Sequence, residues 1–185
     1  MTEPVPRLLS KETVYEGRKL RLEIHQIEDP GGRRTTREVI RHAGSVAILA
    51  FRRGATGHRE VLLERNYRYS VGRYIIEIPA GTLDRPGEPL EDCARRELEE
   101  ETGCRAAEIR PLVSILPSPG FLTERLTVFV AEEVVEGAAA PEPGELITVL
   151  WLPWAEALDM VRRGEIEDAK TIAAMLYYDR FGAAL

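Results

Sequence analysis

Residues 81–104 read GTLDRPGEPLEDCARRELEEETGC, and within them Glu97, Glu100 and Glu101 stand at i, i+3 and i+4. On a helix that spacing sets three carboxylates on one side. At about 100° per residue from Glu97, Glu100 falls near 300° and Glu101 near 40°, while Leu90, Ala94 and Leu98 fall near 20°, 60° and 100°. The acids therefore overlap the apolar stripe. Asp92, Arg95 and Glu99 fall between about 160° and 220°, where a solvated face belongs. Like charges beside a buried stripe are destabilising unless a cation sits among them, and hard divalent metals such as Mg²⁺ meet that need with oxygen ligands.

Local signals bound this helix. Pro89 suits its first turn, Glu91 and Asp92 suit the positive end of its dipole, and Gly103 suits the residue after its last turn. Before it lies IIEIPAG, an apolar run from Ile75 broken by Pro79 and Gly81, which reads as a strand entering a tight loop. The unit is strand, glycine loop, acidic helix.

The chain has 185 residues, enough for one substantial core with room for an added segment. A net charge of −6 argues against sequence-independent nucleic-acid binding, which needs a basic surface. A polyanionic substrate must then meet local cations. Cys93 and Cys104 lack zinc or redox spacing and read as small apolar fillers. With no signal peptide and no long apolar span, the expectation is a soluble, reduced, cytoplasmic protein without membrane contact.

Candidate strands are Val46–Phe51, Val61–Arg65, Tyr74–Ile78, Leu112–Leu116, Leu126–Ala131 and Thr148–Leu152. Trp154–Arg163 and Glu167–Phe181 read as helices, giving an α/β layout. Residues 1–41 read apart from residues 42–185. In that first segment, Thr13–Ile27 and Arg34–Ile40 look like polar-faced strands joined by the turn DPGG, forming a small antiparallel sheet. His25, His42 and His58 show no metal-ligand spacing. Trp151, Trp154, Tyr177 and Tyr178 fit core positions.

The helix and its loop resemble the Nudix box, G-x5-E-x7-R-E-U-x-E-E-x-G-U with U apolar. Glu88, Arg96, Glu97, Leu98, Glu100, Glu101, Gly103 and Cys104 fall on its register. Gly81 lies one residue early, because six residues rather than five precede Glu88, and the extra residue is placed between Asp84 and Gly87. The resemblance implies a Nudix-like α/β/α sandwich with a mixed sheet. It further implies that Glu97, Glu100 and Glu101, with the backbone carbonyl of Ala80, hold Mg²⁺ (Mn²⁺ as an alternative). Arg96 would anchor the glutamates and Glu88 would support them.

Beyond the box, the chain resembles the ADP-ribose pyrophosphatase branch of Nudix hydrolases. In SPGFLTER, Pro119 lies fifteen residues after Cys104, near where these enzymes carry a proline, and Glu124 matches their substrate-ribose acid. In NYRY, Arg68 matches an arginine that meets the diphosphate. Read alone, SPG is an ordinary turn and Arg68 belongs to a charge cluster with Arg65 and Arg73. The N-terminal sheet resembles one exchanged between subunits of a homodimer, and Arg37 on it is counted by the same resemblance among substrate-binding residues.

The resemblance implies Mg²⁺-dependent hydrolysis of ADP-ribose to AMP and ribose 5-phosphate. A general base is expected from the acidic loop AAAPEPGELITVLW, with Glu145 first and Glu142 second. Other readings stay open: a GDP-mannose or other nucleotide-sugar pyrophosphatase, a weakly active nucleotide-binding sensor, and a scaffold or dimerisation module with an incidental acidic helix.

Overall fold

The computed structural model describes residues 3–55, 57–140 and 144–182. The chain forms two compact units: the N-terminal stretch through Gly44 with Leu116–Arg125, and Ser45–Ile115 with Leu126 onward.

In the first unit, strands β1 (Arg7–Glu16), β2 (Leu20–Glu28) and β3 (Arg34–His42) form an antiparallel sheet in that order. The expected single strand Thr13–Ile27 is in fact two. Gly17 starts a reversal, its N–H donating to Leu20 O at 2.9 Å, and Arg18 and Lys19 lie in solvent at the tip. DPGG turns as expected, with Asp29 Oδ1 accepting from the N–H groups of Gly31 and Arg33, each at 2.9 Å. Residues 116–125 join β3 by a parallel bridge between Ile40 and Leu122.

The second unit holds a seven-stranded sheet. Its strands are β4 (Ser45–Arg53), β5 (Arg59–Arg68), β6 (Arg73–Glu77), β7 (Ala80–Thr82), β8 (Ile109–Ile115), β9 (Leu126–Ala131) and β10 (Ile147–Pro153). The order is β10-β5-β4-β9-β8, with β6 paired to β5 and β7 to β4. Only the β4–β9 pairing is parallel, so the sheet is mixed. Each expected strand is present, Leu126–Ala131 with its expected ends and the others with ends moved by up to three residues. β7 was not expected, because Pro79 and Gly81 mark a loop by composition, yet Ala80–Thr82 pairs with Ser45–Ala47.

Side-chain alternation along β4 builds two layers. Val46, Ile48 and Ala50 pack with Cys93, Ala94 and Leu98 of α1 (Leu90–Thr102). Ala47, Leu49 and Phe51 pack with α2 (Trp154–Arg163) and α3 (Ala169–Phe181). The unit is an α/β/α sandwich. Helix α3 starts two residues later than expected because the Asp168 side chain caps it, accepting from Thr171 N–H at 2.9 Å. Leu90, although it falls on the apolar stripe by angle, is exposed, and the burial of this stripe begins with Cys93 and Ala94. Trp154 meets Phe51 edge-on and Tyr178 lies tilted against it, with centroids 5.2 and 5.0 Å away. Both cysteines are free and buried, and burial pushes the Cys93 thiol up to about 12. Among the described residues no helix is long and apolar enough to cross a membrane.

Leu98 is fully enclosed where α1 meets the sheet. Leu98→Ala is expected to lower unfolding free energy by about 2–5 kcal/mol in urea titration, and a loss under about 1 kcal/mol would contradict this packing.

Candidate active site

Helix α1 is placed by its ends. Gly103 closes it in a left-handed conformation (φ 73°), its N–H donating to Glu99 O at 2.8 Å. A Cβ there would lie 2.5 Å from the carbonyl oxygen of Gly137, and Ala140 N–H donates to Glu100 O at 2.9 Å. Residues 137–140, which lead toward Glu145, are thus tied by backbone to the end of the acidic helix.

At its other end the extra residue of the loop sits in a turn. Glu88 N–H donates to Arg85 O at 3.1 Å, and Pro86 followed by Gly87 (φ 80°) is the pairing a type II turn favours. Gly81, although one residue early in sequence, remains against the helix. A Cβ at that position would stand 1.9 Å from Glu97 Cδ, so only glycine leaves the Glu97 carboxylate its place.

Arg96 organises the acids. Its Nε and Nη2 each donate to one oxygen of Glu88 at 3.0 Å. Its Nη1 donates to Glu97 at 2.6 Å and to Glu100 at 3.0 Å, and Nη2 also reaches Asp84 at 3.3 Å. One guanidinium fork serves four carboxylates. The Arg96 hydrogen bond to Glu88 holds that carboxyl below its usual range. Glu97 moves the other way, because desolvation outweighs Arg96.

Glu101 lies deeper, 5% exposed. Its Oε2 accepts from the Ala80 N–H at 3.0 Å, joining β7 to α1. Desolvation, followed by the negative charge of Glu64, raises its pKa well above the ordinary carboxylate value. Glu64 on β5 is itself raised, by desolvation and then by Glu77, its cross-strand partner on β6. Glu77 is held by Arg68 Nε at 2.7 Å and by Lys170.

The second unit therefore gathers Ala80, Glu97, Glu100, Glu101, Arg96 and Arg68, with Glu145 before β10, half-buried and adding negative field at both Glu64 and Glu101. Arg37, Pro119 and Glu124 belong to the first unit. There Arg37 is exposed and donates to Thr35 Oγ1 at 3.2 Å, Pro119 lies in a turn, and Glu124 Oε1 stands 3.9 Å from His42 Nδ1. Glu142 lies outside the described residues. Glu64, Glu77 and Lys170 were not singled out from sequence, although lone acids in VLLERN and IIEIPA carry the signal.

Among the described residues no three acidic, histidine or cysteine side chains form a ready-made metal cage, since Arg96 holds Glu97 and Glu100. The donor set is nonetheless all oxygen, partly desolvated and short of positive charge, which fits a hard divalent cation.

Residues 41–175 match the family model described as NUDIX domain. The chain belongs to the NUDIX family. An ADP-ribose pyrophosphatase from Bacillus subtilis is 36% identical over 92% of this chain and 91% of its own length. One from Mycobacterium tuberculosis is 39% identical over 91% of this chain and 80% of its own. A GDP-mannose pyrophosphatase from Escherichia coli is 37% identical over 78% of each. The fold of this NUDIX protein matches a crystal structure of an ADP compounds hydrolase with TM-score 0.84 at 22% identity, covering 100% of this chain and 97% of that one.

The raised carboxyls give a pH dependence of stability. A group whose folded pKa exceeds its unfolded value contributes stability below the unfolded value and loses it as pH rises through the folded one. In chelator, Glu64→Gln is therefore expected to melt progressively higher than the parent as pH rises from about 5 to about 8.5. Parallel melting curves across that range would show that Glu64 is not strained by its charge.

Proposed function

We propose that the protein hydrolyses the diphosphate of ADP-ribose to AMP and ribose 5-phosphate, acting with Mg²⁺ or Mn²⁺ as a cytoplasmic homodimer. The observation that carries this reading is the match, over more than nine-tenths of the chain, to two relatives named for that activity. The acid-rich helix supplies the means. The GDP-mannose relatives match a smaller share, and they motivate the second reading, a nucleotide-sugar pyrophosphatase of other preference.

In this proposal Glu97, Glu100 and Glu101, with the carbonyl of Ala80, hold the cation. When bound, a divalent cation neutralises phosphate charge and makes water more acidic. The chain's own groups do the rest. Arg96 orients Glu97 and Glu100 through the bonds described, with Glu88 fixing the guanidinium from behind. Glu145 takes a proton from the attacking water, whose oxygen bonds to phosphorus as the bridging P–O bond breaks and the leaving phosphate departs. Arg68 faces the diphosphate with the guanidinium edge that Glu77 does not use. Glu124 accepts hydrogen bonds from a ribose, and Pro119 and Arg37 complete the substrate-binding set. The N-terminal unit, residues 1–41 in the sequence reading, serves dimerisation.

Comparing kcat/KM for ADP-ribose, GDP-mannose, NADH and diadenosine polyphosphates, with Mg²⁺ and again with chelator, tests the activity. ADP-ribose is expected to lead. A tenfold advantage for GDP-mannose would reassign the substrate, and absence of turnover on all four would overturn the enzyme reading.

Residue roles separate in the kinetics. Glu97→Gln and Gly81→Ala are each expected to reduce kcat, the first by about a hundredfold or more and the second by about tenfold, because one removes and the other displaces the same carboxylate. Glu145→Gln should lower chiefly kcat and Glu124→Ala should raise chiefly KM. A Glu145→Gln enzyme with parental kcat would remove that residue from the base role.

A further inference from the structure

One acid on the sheet, Glu64, is enclosed with an oxygen that has no hydrogen-bond partner among the described residues. Along β5, Leu62 packs among Cys93, Ala94 and Leu98 of α1, whereas Val61 and Leu63 face the layer of α2 and α3. Alternation then sets Glu64 on the α1 face. The register with β10 agrees. Val149 pairs with Glu64 and Trp151 with Leu62, and both Val149 and Trp151 pack against the same cluster as α1. On the helix, Glu101 follows Leu98 by three residues and continues that inward face.

Glu64 is 1% exposed, and its Oε1 has no hydrogen-bond partner among the described residues. The nearby cations are engaged elsewhere, since Arg68 and Lys170 both bond to Glu77. Among neighbouring charges, Glu64 is the one that acts most strongly on Glu101. An ionised carboxylate so enclosed is stable only when something positive meets its oxygen. Opposite it stands the helix whose acids are proposed above as metal ligands.

We propose that Glu64 is a further carboxylate ligand of the divalent-cation site, contributed by the sheet from beneath Glu101. This rests on the reading of α1 as the metal-bearing helix. On that face of β5 the other acid, Glu60 at the strand's start, bonds to Arg52 at 2.7 Å, and the next residue in the alternation after Glu64 is Asn66. The assignment makes the sheet a direct participant in the ion's shell.

Mn²⁺ binding to the full-length protein tests it without reference to turnover, by calorimetric titration and by the rise in melting temperature with added Mn²⁺. Glu64→Gln is expected to weaken the Kd of the tightest Mn²⁺ by about tenfold or more and to reduce the melting rise, while the metal-free protein stays folded by circular dichroism. Should Gln disrupt folding, Glu64→Asp keeps the charge, pulls it back by one methylene and is expected to weaken Mn²⁺ by a similar factor. A Kd within twofold of the parent in the folded variant would overturn the proposal. Glu97→Gln is titrated alongside. If it weakens Mn²⁺ and Glu64→Gln does not, Glu64 alone is excluded; if neither does, the reading of α1 falls and Glu64 with it.

Discussion

A carboxylate taken out of water must meet a proton, a cation or a set of N–H donors, and this fold takes several out of water together. The rest of the second unit is arranged around that requirement. Arg96 answers it for Glu88, Glu97 and Glu100 with one rigid fork. Arg68 and Lys170 answer it for Glu77. Glu101 accepts a backbone N–H from Ala80, and Glu64 has one oxygen without a partner among the described residues. Positive charge thins out from the helix surface toward the sheet, and the deficit is deepest where α1 and β5 face each other. The proposed cation would complete a site that is electrostatically incomplete by itself.

The apolar scaffold makes such an arrangement tolerable. β4 is buried on both faces, and its alternate residues supply the floor for α1 on one side and the aromatic layer of Phe51, Trp154 and Tyr178 on the other. With the sheet fixed from both sides, the acids cannot relax by drifting apart into solvent. The hydrophobic layers hold in place charges that repel one another.

Much of this was legible in the chain. The overlap of Glu97, Glu100 and Glu101 with the stripe of Ala94 and Leu98 marked α1 and its burial, because helical period and side-chain chemistry disagreed there. The central strands were plain from their β-branched runs. Other features were not. β7 is hidden because Pro79 and Gly81 read as loop while pairing is decided by β4 alongside. The break at Gly17 is hidden because Arg18 and Lys19 carry no strong turn signature between two strand-like stretches. Glu64 is hidden because one acid in an apolar strand looks like the solvent side of an alternating pattern. Its burial is set by β6, β10 and α1, which close over it from distant parts of the sequence.

The turn from Arg85 to Glu88 carries a wider consequence. The chain there is one residue longer than the family's usual spacing, yet Gly81 still touches Glu97 and Glu88 still meets Arg96. The added length bulges outward at Pro86 and Gly87, both exposed. What the motif fixes is a pair of contacts across space, and the number of residues between them is free wherever the surplus can be shed into water. A pattern that counts positions from the glycine would pass over this protein, whereas one that asks which backbone lies against the Glu97 carboxylate would find it.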